Sequence, residues 1–191
     1  AQEAYIKASN AEAPDQFGFS VAISGDVLVV GAQFEASSAT GVNGNEADNG
    51  ALNSGAAYIF RRDSSDTWTQ EAYLKASNTG NNDQFGRRVA ISGDLVAVGA
   101  FAEASNATGI NGNQADNSAF AAGAVYVFRR NTSGVWQQEA YIKPSSTDGN
   151  DFFSDAISLD GETLAVGAIG EDGSIPGIGP DTGDNSALGS G

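Results

Sequence analysis

The stretch QEAYIKASN at residues 2–10 returns as QEAYLKASN at 70–78 and as QEAYIKPSS at 138–146. The offsets are 70 − 2 = 68 and 138 − 70 = 68 residues, so one register runs through the chain. A repeat of that length constrains the fold more than any local pattern does. Each copy must be one supersecondary unit that buries its apolar faces against its neighbours. The chain therefore reads as a single segment, 1–191, of three units at 2–69, 70–137 and 138–191, the third truncated before its strand three.

Within a unit the apolar residues follow a period of two. Phe17, Phe19, Val21 and Ile23 line one side of an extended segment, Ser24-Gly25-Asp26 predicts a tight turn, and VLVVGA (27–32) reads as a strand buried on both faces. AAYIFRR (56–62) predicts a third strand, DSSD a turn, and TWTQEAYLKA (67–76) a fourth. No stretch carries the 3.6-residue stripe of a helix. The expected fold class is all-β: β-propeller blades of four antiparallel strands, repeating every 68 residues. Two and three-quarter blades make an incomplete ring, because propellers close with about 4 to 8. Gly31-Ala32 and Gly99-Ala100 are placed to let adjacent backbones approach, with Phe17 and Phe85 filling the space between sheets. The opening QEAYIK reads as an outermost strand lacking its own blade. Exposed blade edges and faces of this kind favour self-association.

Charge narrows the function. Aspartate and glutamate number 24 against 9 lysines and arginines, a net charge of −15. Such a chain is repelled by phosphate backbones and anionic lipid, so nucleic acid is not an expected partner. Divalent cations are compatible with it. Cysteine and histidine are both absent, which excludes disulfides, thiolate metal sites and serine–histidine or cysteine–histidine catalysis. No enzymatic activity is expected. No apolar run approaches the roughly 20 residues of a membrane span, so no membrane insertion is expected either.

The most distinctive local feature is a polar loop between the second and third strands. It reads NGNEADNG at 43–50 and NGNQADNS at 111–118, and Asp48, Asp116 and Asp184 keep the 68-residue spacing. Two explanations stand side by side. Alternating oxygen-bearing side chains with glycine between them suit a calcium cage, with Asn43, Asn45, Asp48, Asn111, Asn113, Asp116, Asp181 and Asp184 as candidate ligands. Alternatively, Asn, Asp and Gly are what tight turns select, and the aspartates hold the loop by bonding its backbone N–H groups. Unit three, which also has Glu171 and Asp172, is the most carboxylate-rich.

Other residues carry weaker signals. Arg61-Arg62 and Arg129-Arg130 end the third strands, where pairing with the acidic loops is expected. Arg87 and Arg88 replace Phe19-Ser20 on the innermost strand, so they are candidate ligand-binding residues for an anionic group at the central channel. Trp68 and Trp136 repeat in register and read as packing anchors rather than sugar platforms. Asn106 and Asn131 stand in glycosylation sequons, which matter only in a host with the machinery.

Phe17-Gly18 with Gly31-Ala32, Phe85-Gly86 with Gly99-Ala100, and the degenerate Phe152-Phe153 with Gly167-Ala168 resemble the FG-GAP repeat, the unit of the integrin α-subunit propeller and of many bacterial surface proteins. The resemblance implies a seven-bladed propeller, secreted or on the cell surface, acting as a binding or adhesion module for a protein or carbohydrate ligand. The alternative function is a structural subunit of an extracellular fibre or matrix, built by blade stacking or strand complementation between chains. A role beside a hydrolase domain is a third. One departure matters. Integrin repeats that bind calcium carry a DxDxDG-type loop between strands one and two, where this chain has only Ser-Gly-Asp at 24–26 and 92–94 and SLDGETL at 158–164. That metal site does not carry over.

Overall fold

The computed structural model describes residues 2–179 and 183–191. β1 (Ser20–Ser24), β2 (Val27–Ala32), β3 (Ala56–Arg62) and β4 (Trp68–Leu74) pair in that order as an antiparallel sheet. β5 (Phe85–Ser92), β6 (Leu95–Ala100), β7 (Ala124–Arg130) and β8 (Trp136–Ile142) form a second sheet of the same order. β9 (Phe153–Asp160) and β10 (Thr163–Ala168) form a two-stranded third. No helix occurs among the described residues. The fold is thus all-β, with four-stranded antiparallel blades that do not close into a ring in this chain.

Apolar residues dominate β2, β3, β6 and β7 because both faces of these strands are covered. On the first sheet Val27, Val29, Ile59 and Leu74 point towards the second sheet. There they meet Val96, Val98, Tyr126, Phe128 and Tyr141 in one continuous apolar cluster. At roughly 1.5–3 kcal/mol for each large side chain removed from water, this joint supplies most of the driving force that a lone twisted sheet lacks. β5 rests on β1 and β2, and β9 rests on β5 and β6.

The joint depends on missing side chains. A Cβ on Gly31 would lie 1.8 Å from the carbonyl oxygen of Gly86, and one on Gly55 would lie 2.0 Å from that of Phe85. The Phe-Gly of one unit therefore sits directly on the Gly-Ala of the preceding one. Phe85 is fully buried there, edge-on to Tyr126 and Phe128. Serines stitch the inner strands: Ser20 Oγ accepts the Val89 N–H (3.1 Å), Ser24 Oγ that of Gly93 (3.1 Å) and Ser92 Oγ that of Gly161 (3.0 Å).

Two expectations need correction. Residues 2–8 form no strand, because a strand-four sequence needs a strand three beside it and the described residues leave none free. Ile6 and Ala8 instead cover the aromatic side of the first sheet, near Tyr58 and Phe60. Phe17 also precedes β1 rather than belonging to it, and packs edge-on against Tyr58 and Phe60. Beyond it, Val21 and Ile23 remain 62% and 63% exposed. Their counterparts Val89 and Ile91 are buried against the first sheet, so exposure here follows from position in the stack and not from sequence.

Candidate functional site

The segments 33–55 and 101–123, which join the second strand of each blade to the third, lie at the same end of the sheets as the links 75–84 and 143–152 that lead to the next blade. They bond to one another: Gly41 N–H donates to Ala76 O and Lys75 N–H to Gly41 O (2.8 Å), and Lys143 N–H to Gly109 O (2.9 Å). This end carries most of the chain's irregular backbone. It is the candidate ligand face.

The asparagines and aspartates singled out in the recurrent polar motif hold that backbone. Asn43 and Asn111 sit at φ +55° and +57°, a left-handed conformation that asparagine tolerates. Asn43 donates its N–H to Tyr73 O (2.8 Å) while its Oδ1 accepts the Tyr73 N–H (2.9 Å), and Asn111 does the same with Tyr141. The loop is thereby stitched to the outermost strand. Asn45 and Asn113 Oδ1 accept the N–H groups of Ala47 and Ala115, two residues on. Asp48 accepts from Ser38 N–H (2.7 Å), Ser38 Oγ and Gly50 N–H. Asp116 accepts from Ser118 Oγ (2.6 Å), Ser118 N–H and Asn106 N–H. Asp184 accepts from Ser174 Oγ, Ser186 Oγ and Ser186 N–H. These bonds, the serine hydroxyls first, hold all three carboxyls below the usual range. Asp181 lies outside the described residues.

Calcium takes six to eight oxygens. Among the described residues no three acidic side chains converge to hold a metal ion. The described candidate ligands are instead engaged with protein donors, Asn43 and Asn111 with the N–H groups of the outermost strands and Asn45, Asn113, Asp48, Asp116 and Asp184 with groups of their own loops.

Beneath the loops lie two ion pairs that sequence reasoning missed. Lys75 Nζ contacts Glu35 Oε2 at 2.9 Å and Lys143 Nζ contacts Glu103 Oε2 at 3.1 Å, with all four side chains 0–1% exposed. Lys75 also donates to Ser54 Oγ, Lys143 to Gly123 O, and Glu35 accepts the Ser37 N–H. Burial lowers both ammonium pKa values. Three residues after Lys75, Asn78 reaches the next blade: its amide donates to Glu103 Oε1 (3.0 Å) and its Oδ1 accepts from Tyr126 OH. The Lys-Ala-Ser-Asn stretch is thus a latch, the lysine in one blade and the asparagine in the following one. The available signal was the 68-residue spacing of Glu35 with Glu103 and of Lys75 with Lys143.

The Asp of each Asp-x-Phe pattern is also buried. Asp83 accepts the Gly80 N–H (2.7 Å), and Asp15 and Asp151 accept the corresponding amides of Glu12 and Asp148. Burial pushes the Asp83 carboxyl up to about 7 and raises Asp15 and Asp151 in the same direction.

The arginine pairs at the strand-three ends do not face the acidic loops. Arg61 pairs with Glu71 (3.1 Å), Arg62 with Asp26 (2.7 Å), Arg130 with Glu71 (2.8 Å), and Arg129 with Glu139 and Glu162. A strand entered from the loop end must finish at the opposite one, where β4, β8 and the hairpin turns supply the carboxylates. Trp136 is buried and donates to Glu71, and Trp68 donates to Glu3. Arg87 and Arg88 do lie on the innermost strand, β5, beside Asp155 of β9 at 3.9 and 3.7 Å.

No curated protein matches the chain. The FG-GAP repeat family matches it at residues 1–60, 68–128 and 136–186, three stretches that follow the three units. With the Phe-Gly positions of units two and three seated on the Gly-Ala of the unit before, and with that family covering most of its length, the chain belongs to the FG-GAP repeat family.

Proposed function

We propose that this chain is a secreted or cell-surface binding module of the adhesion type, with the loops between the second and third strands of each blade forming its ligand face. The observation that carries this reading is the organisation of that face. Long polar loops with no regular strand are held in a repeating shape by Asn43, Asn111, Asp48 and Asp116 and are underpinned by buried Lys–Glu pairs. Rigid loops on a stacked-sheet scaffold suit recognition, because little ordering entropy is lost on binding. FG-GAP repeats occur in extracellular, integrin-like adhesion propellers, and no helix among the described residues is long and apolar enough to cross a membrane. A chain without histidine or cysteine suits recognition better than catalysis.

The rival reading is a structural subunit that stacks end to end. It is favoured by the exposed Val21 and Ile23 on the first sheet. Light scattering with electron microscopy of the purified chain separates the two. The binding module gives a discrete particle at micromolar concentration, and concentration-dependent filaments would replace it with the structural subunit.

A further inference from the structure

Three positions that share one register break the repeat. Phe19, Arg87 and Asp155 are 68 residues apart (87 − 19 and 155 − 87) and sit side by side on the three inner strands or at their beginnings. The Arg87 guanidinium is 5.9 Å from the Phe19 ring and 3.9 Å from Asp155. The Phe-Gly and Gly-Ala positions around this row repeat, whereas the row itself carries an aromatic, a cation and an anion.

The charge balance at this point is unlike that elsewhere in the molecule. The chain has nine lysines and arginines. Arg61, Arg62, Arg129 and Arg130 are hydrogen-bonded to carboxylates, and so are Lys75 and Lys143. Lys7 is exposed on the N-terminal segment. Arg87 and Arg88 instead share one carboxylate, Asp155, at 3.9 and 3.7 Å with no hydrogen bond to it. Arg88 donates to the Asp155 and Arg87 carbonyls and Arg87 Nη1 to Gln84. Arg87 Nε is buried without a partner. In a molecule of net charge −15 this is a focus of uncompensated positive charge beside the ligand face.

We infer that Arg87 and Arg88 form a carboxylate-recognition site that takes an aspartate or glutamate side chain of a protein partner. This deepens the binding-module reading and rests on it. Two guanidiniums against one carboxylate leave a single positive charge, which a monoanion neutralises and a dianionic phosphate or sulfate overshoots. The planar fork of arginine suits a carboxylate. Arg87 is also held in place, its guanidinium 3.8 Å from the centroid of Phe101, whose ring stacks on Phe152 at 4.6 Å. Phe101 therefore has a ring or a cation on each face and offers no platform to a sugar, while the exposed Phe19 edge offers apolar contact to a peptide side chain. Asp155 is the internal competitor that keeps the two arginines oriented while the site is empty of ligand.

The test is a titration of the full chain, reading the arginine Nε–Hε signals by 15N–1H correlation. The probes are Ac-Gly-Phe-Asp-Gly-NH2, its Asn counterpart and sodium glucuronate. Saturable shifts of the Arg87 and Arg88 signals are expected with the Asp peptide, with at least fivefold weaker binding of the Asn peptide. Arg87→Gln combined with Arg88→Gln should weaken binding tenfold or more while circular dichroism shows the variant still folded at the titration temperature. Asp155→Asn, which removes the competitor, should strengthen it severalfold. Equal binding of the Asp and Asn peptides, no saturable shift, or weaker binding after Asp155→Asn would each overturn the assignment, and tighter binding of glucuronate would replace the protein partner with an acidic sugar. A discrete particle that fails the titration loses only this site, whereas a chain that polymerises loses the binding-module reading.

Discussion

Replacing Ser154 with glycine should make the protein more stable, although it removes a buried side chain. Ser154 stands where units one and two have Gly18 and Gly86, and it adopts φ +101° against +94° and +86° for those glycines. A non-glycine residue in such a region costs about 1–3 kcal/mol. The hydroxyl adds to that cost, because Ser154 is 1% exposed and its Oγ has no hydrogen-bond partner, a further penalty of about 1–3 kcal/mol. Two terms oppose the gain. Glycine has more backbone freedom to lose on folding, about 0.4–1 kcal/mol, and the vacated space beside Gly99 costs about 0.5–1 kcal/mol as a small cavity. The balance is a gain of about 2 kcal/mol, or roughly 4–8 °C in melting temperature for a domain of this size. The reciprocal change, Gly86→Ser, should destabilise by more, because its Cβ would come within 2.1 Å of the Ala56 carbonyl oxygen. Thermal unfolding followed by circular dichroism measures both. A melting temperature that is unchanged or lower in Ser154→Gly would refute the reasoning, since neither strain nor the orphan hydroxyl could then be costing stability at that joint.

Lys75→Met leaves Glu35 buried without its counter-ion, at an expected cost of about 3–5 kcal/mol. Adding Glu35→Leu should restore at least half of that in a urea-unfolding series, and a double variant no better than the single would show that the pair does not act as a unit. Stability should rise on moving from pH 8 to pH 5. Burial raises the native Asp83 carboxyl to about 7, against about 3.9 unfolded, so the stabilisation from its proton is complete below about pH 4 and is lost as the pH rises through 7. Asp15 and Asp151 act in the same direction, and Asp83→Asn should flatten the slope by up to about 4 kcal/mol over that window; a variant with the wild-type slope would move the effect elsewhere. Below pH 4 the sign reverses, because Asp48, Asp116 and Asp184 have lowered values and their stabilisation disappears as they protonate. Finally, millimolar calcium added to chelator-treated protein should leave the melting temperature unchanged, since an ion bound only to the folded state must raise it; a rise would show that the loop aspartates exchange their amide partners for metal.

How much of this was legible in the sequence depends on the range of the interaction. The 68-residue register, the strands at 27–32 and 56–62, and the turn at 24–26 were set by local pattern, because alternation of apolar residues and the placing of glycine act within a few residues. Gly31-Ala32 was legible as a point of close approach, but only the stacked blades showed that its partner is the Gly86 carbonyl. The loop motif was legible as polar and recurrent. Its bonds from Asn43 to Tyr73 and from Asp48 to Ser38 were not, since cages and turns draw on the same residue types. The arginine pairs were sent to the wrong carboxylates because sequence does not say which end of a sheet a side chain reaches.

By itself, then, the sequence determined what each of the first two units is: one blade of four short antiparallel strands with a long polar loop, written in periodicities that need no neighbour. Only the tertiary structure decided what faces what. Lys75 meets Glu35 across 40 residues of chain, Asn78 crosses to the next blade, and Phe19, Arg87 and Asp155 fall into one row. Those contacts arise from the angle and offset at which one sheet settles on the next. That geometry is the sum of many weak packing contacts between units, and no short run of residues encodes it.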